Sequence, residues 1–181
     1  MKCVIETTRL YLRELLDDDL DDLHAIFSDP KSMKHCPSLF SIQESQNWIQ
    51  WNIKSYAEYG FGFWGVVLKD NKKLIGDCGI TMQDINGVKE PEIGYHINKN
   101  HVNKGYATEA AQACRNYAFE VLRLQKIYSY MKNKNHASIK VALKNGMKLI
   151  NETKDKVNGK TRIYAITLDE YMTKHVNRMM F

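Results

Sequence analysis

The chain has 181 residues, 44% of them hydrophobic and 10% aromatic, which suits one well-buried globular domain over residues 1–181. No apolar run approaches the length of a bilayer span, and the first residues meet charge too soon for a secretory signal, so a cytoplasmic protein without a membrane partner is expected. The formal net charge of +5 favours anionic partners only weakly, and its basic residues do not gather into the arginine and aromatic block of a nucleic-acid binder.

In chain order, residues 9–15 alternate in the manner of a first strand. Asp17, Asp18 and Asp19 introduce a helix with Leu20, Leu23, Ile26 and Phe27 on one face, ending at Asp29-Pro30. A loop with Cys36-Pro37 follows, and Ser41-x-x-Glu44, a capping-box pattern, opens a second helix that stops at Gly60. Residues 61–68 and 74–82 predict neighbouring antiparallel strands about an Asp70-Asn71 turn, and Asn86-Gly87 marks the turn before a strand at 92–97. A long helix from about Ala107 carries Ala110, Ala111, Cys114, Ala118 and Val121 at helical spacing, small enough for close packing on a sheet. Residues 126–131 predict a strand, 135–145 a helix with Gly146 beyond its end, and two last strands flank Asn158-Gly159. This order predicts one α/β domain on a mostly antiparallel sheet. Cys3, Cys36, Cys78 and Cys114 form no Cys-x-x-Cys pair and are expected as isolated reduced thiols, and no histidine has metal-ligand spacing, so no metal is expected.

The most informative stretch is Val102-Asn103-Lys104-Gly105-Tyr106-Ala107-Thr108-Glu109-Ala110, between a strand and a helix. Glycine and small residues at a helix start let unpaired first-turn amides, aided by the helix dipole, converge on a pyrophosphate. A second helix start follows one strand later at Asn135-His136-Ala137-Ser138. Together with Ile93-Gly94-Tyr95 and the opening Thr8-Arg9-Leu10-Tyr11-Leu12-Arg13, these segments resemble the GNAT superfamily of acetyl-coenzyme A-dependent N-acetyltransferases, in its RimJ/RimL-type branch. The resemblance runs from about residue 6 to residue 171. Two places depart from it: Val102 stands where the family's Gln/Arg-x-x-Gly-x-Gly/Ala loop begins, and Val102-Asn103 where the branch often has Trp-Gly.

The resemblance implies a single GNAT-like domain, with helices flanking a mixed sheet and a cofactor cleft between two splayed central strands. It implies that amides of Asn103, Lys104, Gly105, Tyr106, Ala107 and Thr108 hold the pyrophosphate of acetyl-CoA. The pantetheine arm would insert between strands 92–97 and 127–131. Asn135 would contact that arm or cap its own helix. Glu109, wrong in sign beside a polyanion, is expected as a helix N-terminal cap turned away from it. Acetyl transfer to an amine needs a neutral amine, donors for the oxyanion and a proton for the thiolate. Glu92 is the first candidate base, because it starts the strand expected to flank the thioester; alternation puts Glu92, Gly94 and His96 on one face and Ile93, Tyr95 and Ile97 on the other. His96 and Asp77 are reserves. The tyrosine that many family members use as acid falls on Ala142 here, so Ser138 is the candidate acid, with Tyr128 and Tyr130 as other hydroxyls and a helix cap as the competing role for Ser138. One or two of the aromatics in segment 48–64 are expected to reach the acceptor pocket, the rest to be core. The expected activity is direct attack by a primary amine in a ternary complex. A peptide or protein N-terminus is favoured as acceptor over a small-molecule amine, and a non-catalytic coenzyme A-binding module is the further alternative, in a monomer or homodimer.

Overall fold

The structure, a computed structural model, describes residues 3–85, 87–155 and 159–179, without the side chains of Ile85, Asp155 and residues 174–179. Among these residues one eight-stranded sheet forms in the order β1 (Cys3–Glu6), β2 (Leu10–Arg13), β3 (Phe63–Leu68), β4 (Leu74–Ile85), β5 (Val88–Ile97), β6 (Lys126–Lys132), β8 (Gly159–Thr167), β7 (Lys148–Asp155). Every neighbouring pair is antiparallel except β5 and β6, which run parallel. Five helices accompany it: α1 (Leu20–Phe27), α2 (Ile42–Tyr59), α3 (Tyr106–Glu120), α4 (His136–Lys144) and α5 (Leu168–Met179).

Period-two alternation divides the strands between two cores. Ile75, Cys78, Ile80 and Ile93 meet α3, whose Ala110, Ala111, Cys114 and Ala118 are all buried. With only a methyl or thiol at these four positions, α3 comes close enough for Cys114 Sγ to lie 3.5 Å from Cys78 Sγ of β4. These two thiols are therefore neighbours, not isolated as the spacing predicted. On the other face α1 and α2 bury Leu23, Ile26, Phe27 and Ile49 against Val67 and Leu74, each full burial contributing about 2 kcal/mol. The capping box of α2 is as expected, with Ser41 Oγ accepting from the Glu44 amide (3.2 Å) and Glu44 Oε2 from the Ser41 amide (2.7 Å).

Two elements were not expected. β1 is a four-residue edge strand, too short to show alternation. α5 docks through Tyr171, 3% exposed and packed on Phe119 with ring centroids 4.9 Å apart. β4 and β5 also run on toward each other beyond the expected residues 74–82 and 92–97, pairing down to Ile85 and Val88. Asn86 and Asn158, the first residues of the two expected Asn-Gly turns, lie outside the described residues.

Candidate active site

The parallel neighbours β5 and β6 share one paired position, Glu92 opposite Tyr128, and diverge after it. Beyond that point backbone groups that a continued ladder would satisfy need other partners. Side chains supply two: Glu92 Oε1 accepts from the Tyr130 amide (2.9 Å), and Ser129 Oγ donates to the Ile93 carbonyl (3.2 Å). The opening between the strands is a cleft of about 640 Å³, within the usual size of small-molecule sites. Its lining includes Glu92, Ser138, Asn135, Asn103, Gly105, Tyr106, Ala107 and Thr108. The helix starts and the strand that the sequence singled out thus converge on one cavity.

Face assignment along β5 follows the alternation. Ile93 and Ile97 belong to the α3-side core, with Tyr95 packed against it, while His96 meets Phe27, Trp48 and Phe63 on the α1–α2 side. Gly94 lies between Glu92 and His96, and a Cβ there would come within 2.5 Å of the Phe63 ring, so glycine is what lets this aromatic lie on the strand. Phe63 is the member of the aromatic segment that lines the cleft. Trp64 and Phe61 are core, whereas Trp51 and Tyr59 are exposed.

Glu92 is half-buried in the cleft, and burial pushes its carboxyl up to about 7 against the opposing Tyr130 hydrogen bond. The two reserve groups are different. Asp77 is fully buried and accepts from Trp48 Nε1–H (2.8 Å) and the His96 amide (3.2 Å), with His96 Nδ1 2.8 Å from its Oδ1. Burial alone would lower the His96 pKa, but Asp77 and the Cys36 thiol beside the ring carry it up to about 10. With both Asp77 oxygens occupied and the ring drawn toward its protonated form, this pair is better placed to hold structure than to accept a substrate proton.

At the start of α3, Asn103 (φ 61) and Gly105 (φ 87) are both left-handed. The first α3 backbone bond is Glu109 N–H to Gly105 O (3.0 Å), which leaves the amides of residues 106–108 to other acceptors at the positive end of the helix dipole. That cradle fits a pyrophosphate. Lys104 departs from expectation: with left-handed residues on either side it is exposed and does not line the cleft, and its carbonyl accepts from Arg9 Nη1 (3.0 Å). Glu109 is no helix cap either. It points away from the cleft as expected, but to accept from Thr7 Oγ1 (2.7 Å), the Arg9 amide (2.8 Å) and Arg9 Nε (2.7 Å), tying α3 to the β1–β2 turn. Burial would raise its pKa, and these bonds outweigh it and hold the carboxyl low.

Asn135 Oδ1 caps α4 by accepting from the Ser138 amide (3.1 Å), so its local role is filled from within the chain while it borders the cleft. The Tyr95 hydroxyl is buried without a hydrogen-bond partner among the described residues; burial raises its pKa and the nearby Ser138 pulls it back. Of the other hydroxyls, Tyr128 Oη donates to Glu90 Oε1 (3.0 Å). Tyr95 and the segment with Lys31, Lys34, His35 and Cys36 were not among the expected cleft residues. The segment has no periodicity or motif that could mark it, whereas alternation had turned Tyr95 to the α3 side. Among the described residues no group of three or more metal-ligating side chains forms, and no helix is long and apolar enough to cross a membrane.

This cleft, with a glycine-led helix start on one side and a carboxylate at the strand divergence, is that of an acyltransferase fold. The family described as acetyltransferase (GNAT) domain matches residues 9–148, and the chain belongs to it. It is therefore an acetyltransferase of a family that uses acetyl-CoA. Over 145 residues it is 34% identical to the uncharacterized N-acetyltransferase YnaD of Bacillus subtilis (strain 168), covering 80% of this chain and 82% of the relative. The crystal structure of a GNAT-family acetyltransferase from Bacillus anthracis aligns with a TM-score of 0.79 at 28% identity, over 91% of this chain and 98% of that one. RimL, a ribosomal L7/L12 alpha-N-protein acetyltransferase solved with coenzyme A, shares the fold with a TM-score of 0.77 at 19% identity, over 93% and 99% of the two chains.

Proposed function

We propose that this chain transfers the acetyl group of acetyl-CoA to a primary amine by direct attack in a ternary complex, with residues 1–181 forming one catalytic domain. The favoured acceptor is a peptide or protein N-terminus, as the RimJ/RimL-type resemblance implies. One observation carries the reading: a cleft carboxyl with a single oxygen hydrogen-bonded, to the Tyr130 amide, at the point where the cleft strands part, where burial pushes its pKa up. Acetyl-CoA when bound supplies the activated thioester. The amides of residues 106–108, with the α3 dipole behind them and Asn103 and Gly105 bordering the cleft, hold its pyrophosphate. Backbone amides of β5 beyond Glu92 that are not engaged by β4, where the ladder to β6 ends, act as oxyanion donors. Glu92 takes the proton of the ammonium, directly or through one water. Against a base near 7, an α-ammonium of pKa roughly 7.7–8.0 gives up its proton at a cost of about one unit, a lysine ε-ammonium at more than three. That difference favours an N-terminal amine. Ser138, on the first turn of α4, assists departure of the thiolate.

Steady-state velocities measured over both substrates test the order of events. Coenzyme A release should give intersecting double-reciprocal lines on a panel of α-amine peptides. Parallel lines together with an isolable acetylated enzyme would replace direct attack by a covalent route.

A further inference from the structure

The cleft lining includes residues of segment 29–36, between α1 and α2, and this segment is tied down by hydrogen bonds. Asp29 Oδ2 accepts from the Ser32 amide (2.7 Å), Ser32 Oγ from the Lys99 amide (3.0 Å), and Lys99 Nζ pairs with Asp29 Oδ1 (2.6 Å). Met33, 3% exposed, anchors the middle in the α1–α2 core, and the Cys36 amide donates to the Met33 carbonyl (2.9 Å). From this mount Lys31, Lys34 and His35 line the cleft. Lys132 and His136 of the facing lip are close enough that they and Lys34, after burial, hold the His35 pKa below its ordinary value. Glu92 is the one carboxylate among the described residues that line the cavity. No ion pair among the described residues engages Lys31, Lys34 or Lys132. The charge of His96 is already balanced by Asp77. The cavity thus carries surplus positive charge on a rigid support, facing a single acid.

We infer that the acceptor amine belongs to a molecule that also carries a carboxylate or phosphate, which segment 29–36 meets with Lys31, Lys34 and His35 while the amine faces Glu92. This rests on the acetyl-transfer reading and narrows its substrate class. Positive groups on apolar walls repel a polyamine and draw in an acceptor whose second group is anionic. A histidine kept neutral by burial and neighbouring cations is relieved by an arriving anion, whose charge favours the protonated ring. The coenzyme's phosphates share this chemistry, so the two ligands must be separated by experiment.

Three C-terminally amidated peptides, Ser-Glu-Ala, Ser-Gln-Ala and Ser-Lys-Ala, are matched in length and differ in one charge. Each is assayed as acceptor at saturating acetyl-CoA, and its binding to the coenzyme A complex is read by calorimetry, for the natural chain and for a Lys31→Ala/Lys34→Ala variant. The Glu peptide should exceed the Gln peptide by about three- to tenfold in kcat/KM and in affinity, with the Lys peptide weakest. The ratio should shrink in high salt and approach one in the variant, with affinity for coenzyme A alone unchanged. A variant that loses coenzyme A affinity while keeping the Glu-to-Gln ratio would assign the lysines to the coenzyme and overturn the inference, as would equal or better use of the Lys peptide by the natural chain. Tighter binding of the Glu peptide without acetylation of any amine would uphold the anion site and defeat the acetyl-transfer reading instead.

Discussion

Glu92 and Asp77 are acidic residues on paired strands, both directed to the α1–α2 side of the sheet, yet their surroundings suit them to opposite roles. Both oxygens of Asp77 are occupied, by the Trp48 indole and by the amide and ring of His96. Glu92 has one oxygen on the Tyr130 amide, at the place where the ladder gives out. Burial is common to the two; completeness of hydrogen bonding is not. A saturated buried charge pair is costly to assemble and costlier to break, so it holds structure. An under-bonded carboxyl in a cleft keeps capacity for a proton near neutral pH, which suits an acid–base group.

The largest effect should come from removing that capacity. Glu92→Gln keeps an oxygen for the Tyr130 amide and the shape of the side chain, but cannot accept a proton. Turnover should fall by about 10²–10⁴-fold, with acetyl-CoA affinity retained and thermal stability at neutral pH retained or raised. A loss smaller than about threefold, measured as kcat on an α-amine peptide, would break the contrast by placing the base elsewhere.

Asp77→Asn should act on stability instead. Removing one partner of a buried pair leaves the other uncompensated, at about 3–5 kcal/mol, so the midpoint of thermal unfolding should drop sharply while the rate per folded molecule changes far less. The pH dependence of unfolding sharpens the distinction. His96 is raised from 6.5 to about 10, so its contribution is full below 6.5 and is lost as pH climbs toward 10. Glu92, raised from 4.5 to about 7, also binds its proton more tightly when folded, so its contribution is full below 4.5 and is lost between there and about 7, about 3 kcal/mol in all. Asp77→Asn should flatten the alkaline slope alone and Glu92→Gln the acidic one alone. Denaturant titrations across both windows would reveal any exchange between them.

How far each feature could be read from sequence depends on the span of its cause. Glu92 was accessible because strand alternation and its place before Ile93-Gly94-Tyr95 are local. The same holds for Gly105, a glycine before a helix. The Asp77 partners come from 29 and 19 residues away, so no window shows that its oxygens are filled. Glu109 was misread as a cap for the same reason, since Thr7 and Arg9 lie 102 and 100 residues from it. Segment 29–36 is held at the cleft in part by Lys99, which reaches back 70 residues to Asp29. The orientation of Lys104 follows from a left-handed Asn103, a conformation that the sequence permits without requiring.

The smallest effect separates binding from the carboxylate contrast altogether. Gly105 has a φ of 87°, and a Cβ built there would lie 3.2 Å from Arg9 Nη2, the group beside the cradle carbonyl. Gly105→Val adds a β-branched side chain in a left-handed conformation, which costs about 1–2 kcal/mol before any contact is counted. The backbone should relieve this by shifting, and the amides of residues 106–108 then lose their convergence. Acetyl-CoA affinity by calorimetry should weaken about tenfold, in line with that cost. The acidic slope from Glu92 should persist, since the strain lies at the helix start and the carboxyl on the strand. Unchanged affinity in a folded variant would remove the pyrophosphate from the α3 start. Loss of the acidic slope would mean that the two halves of the cleft do not act independently.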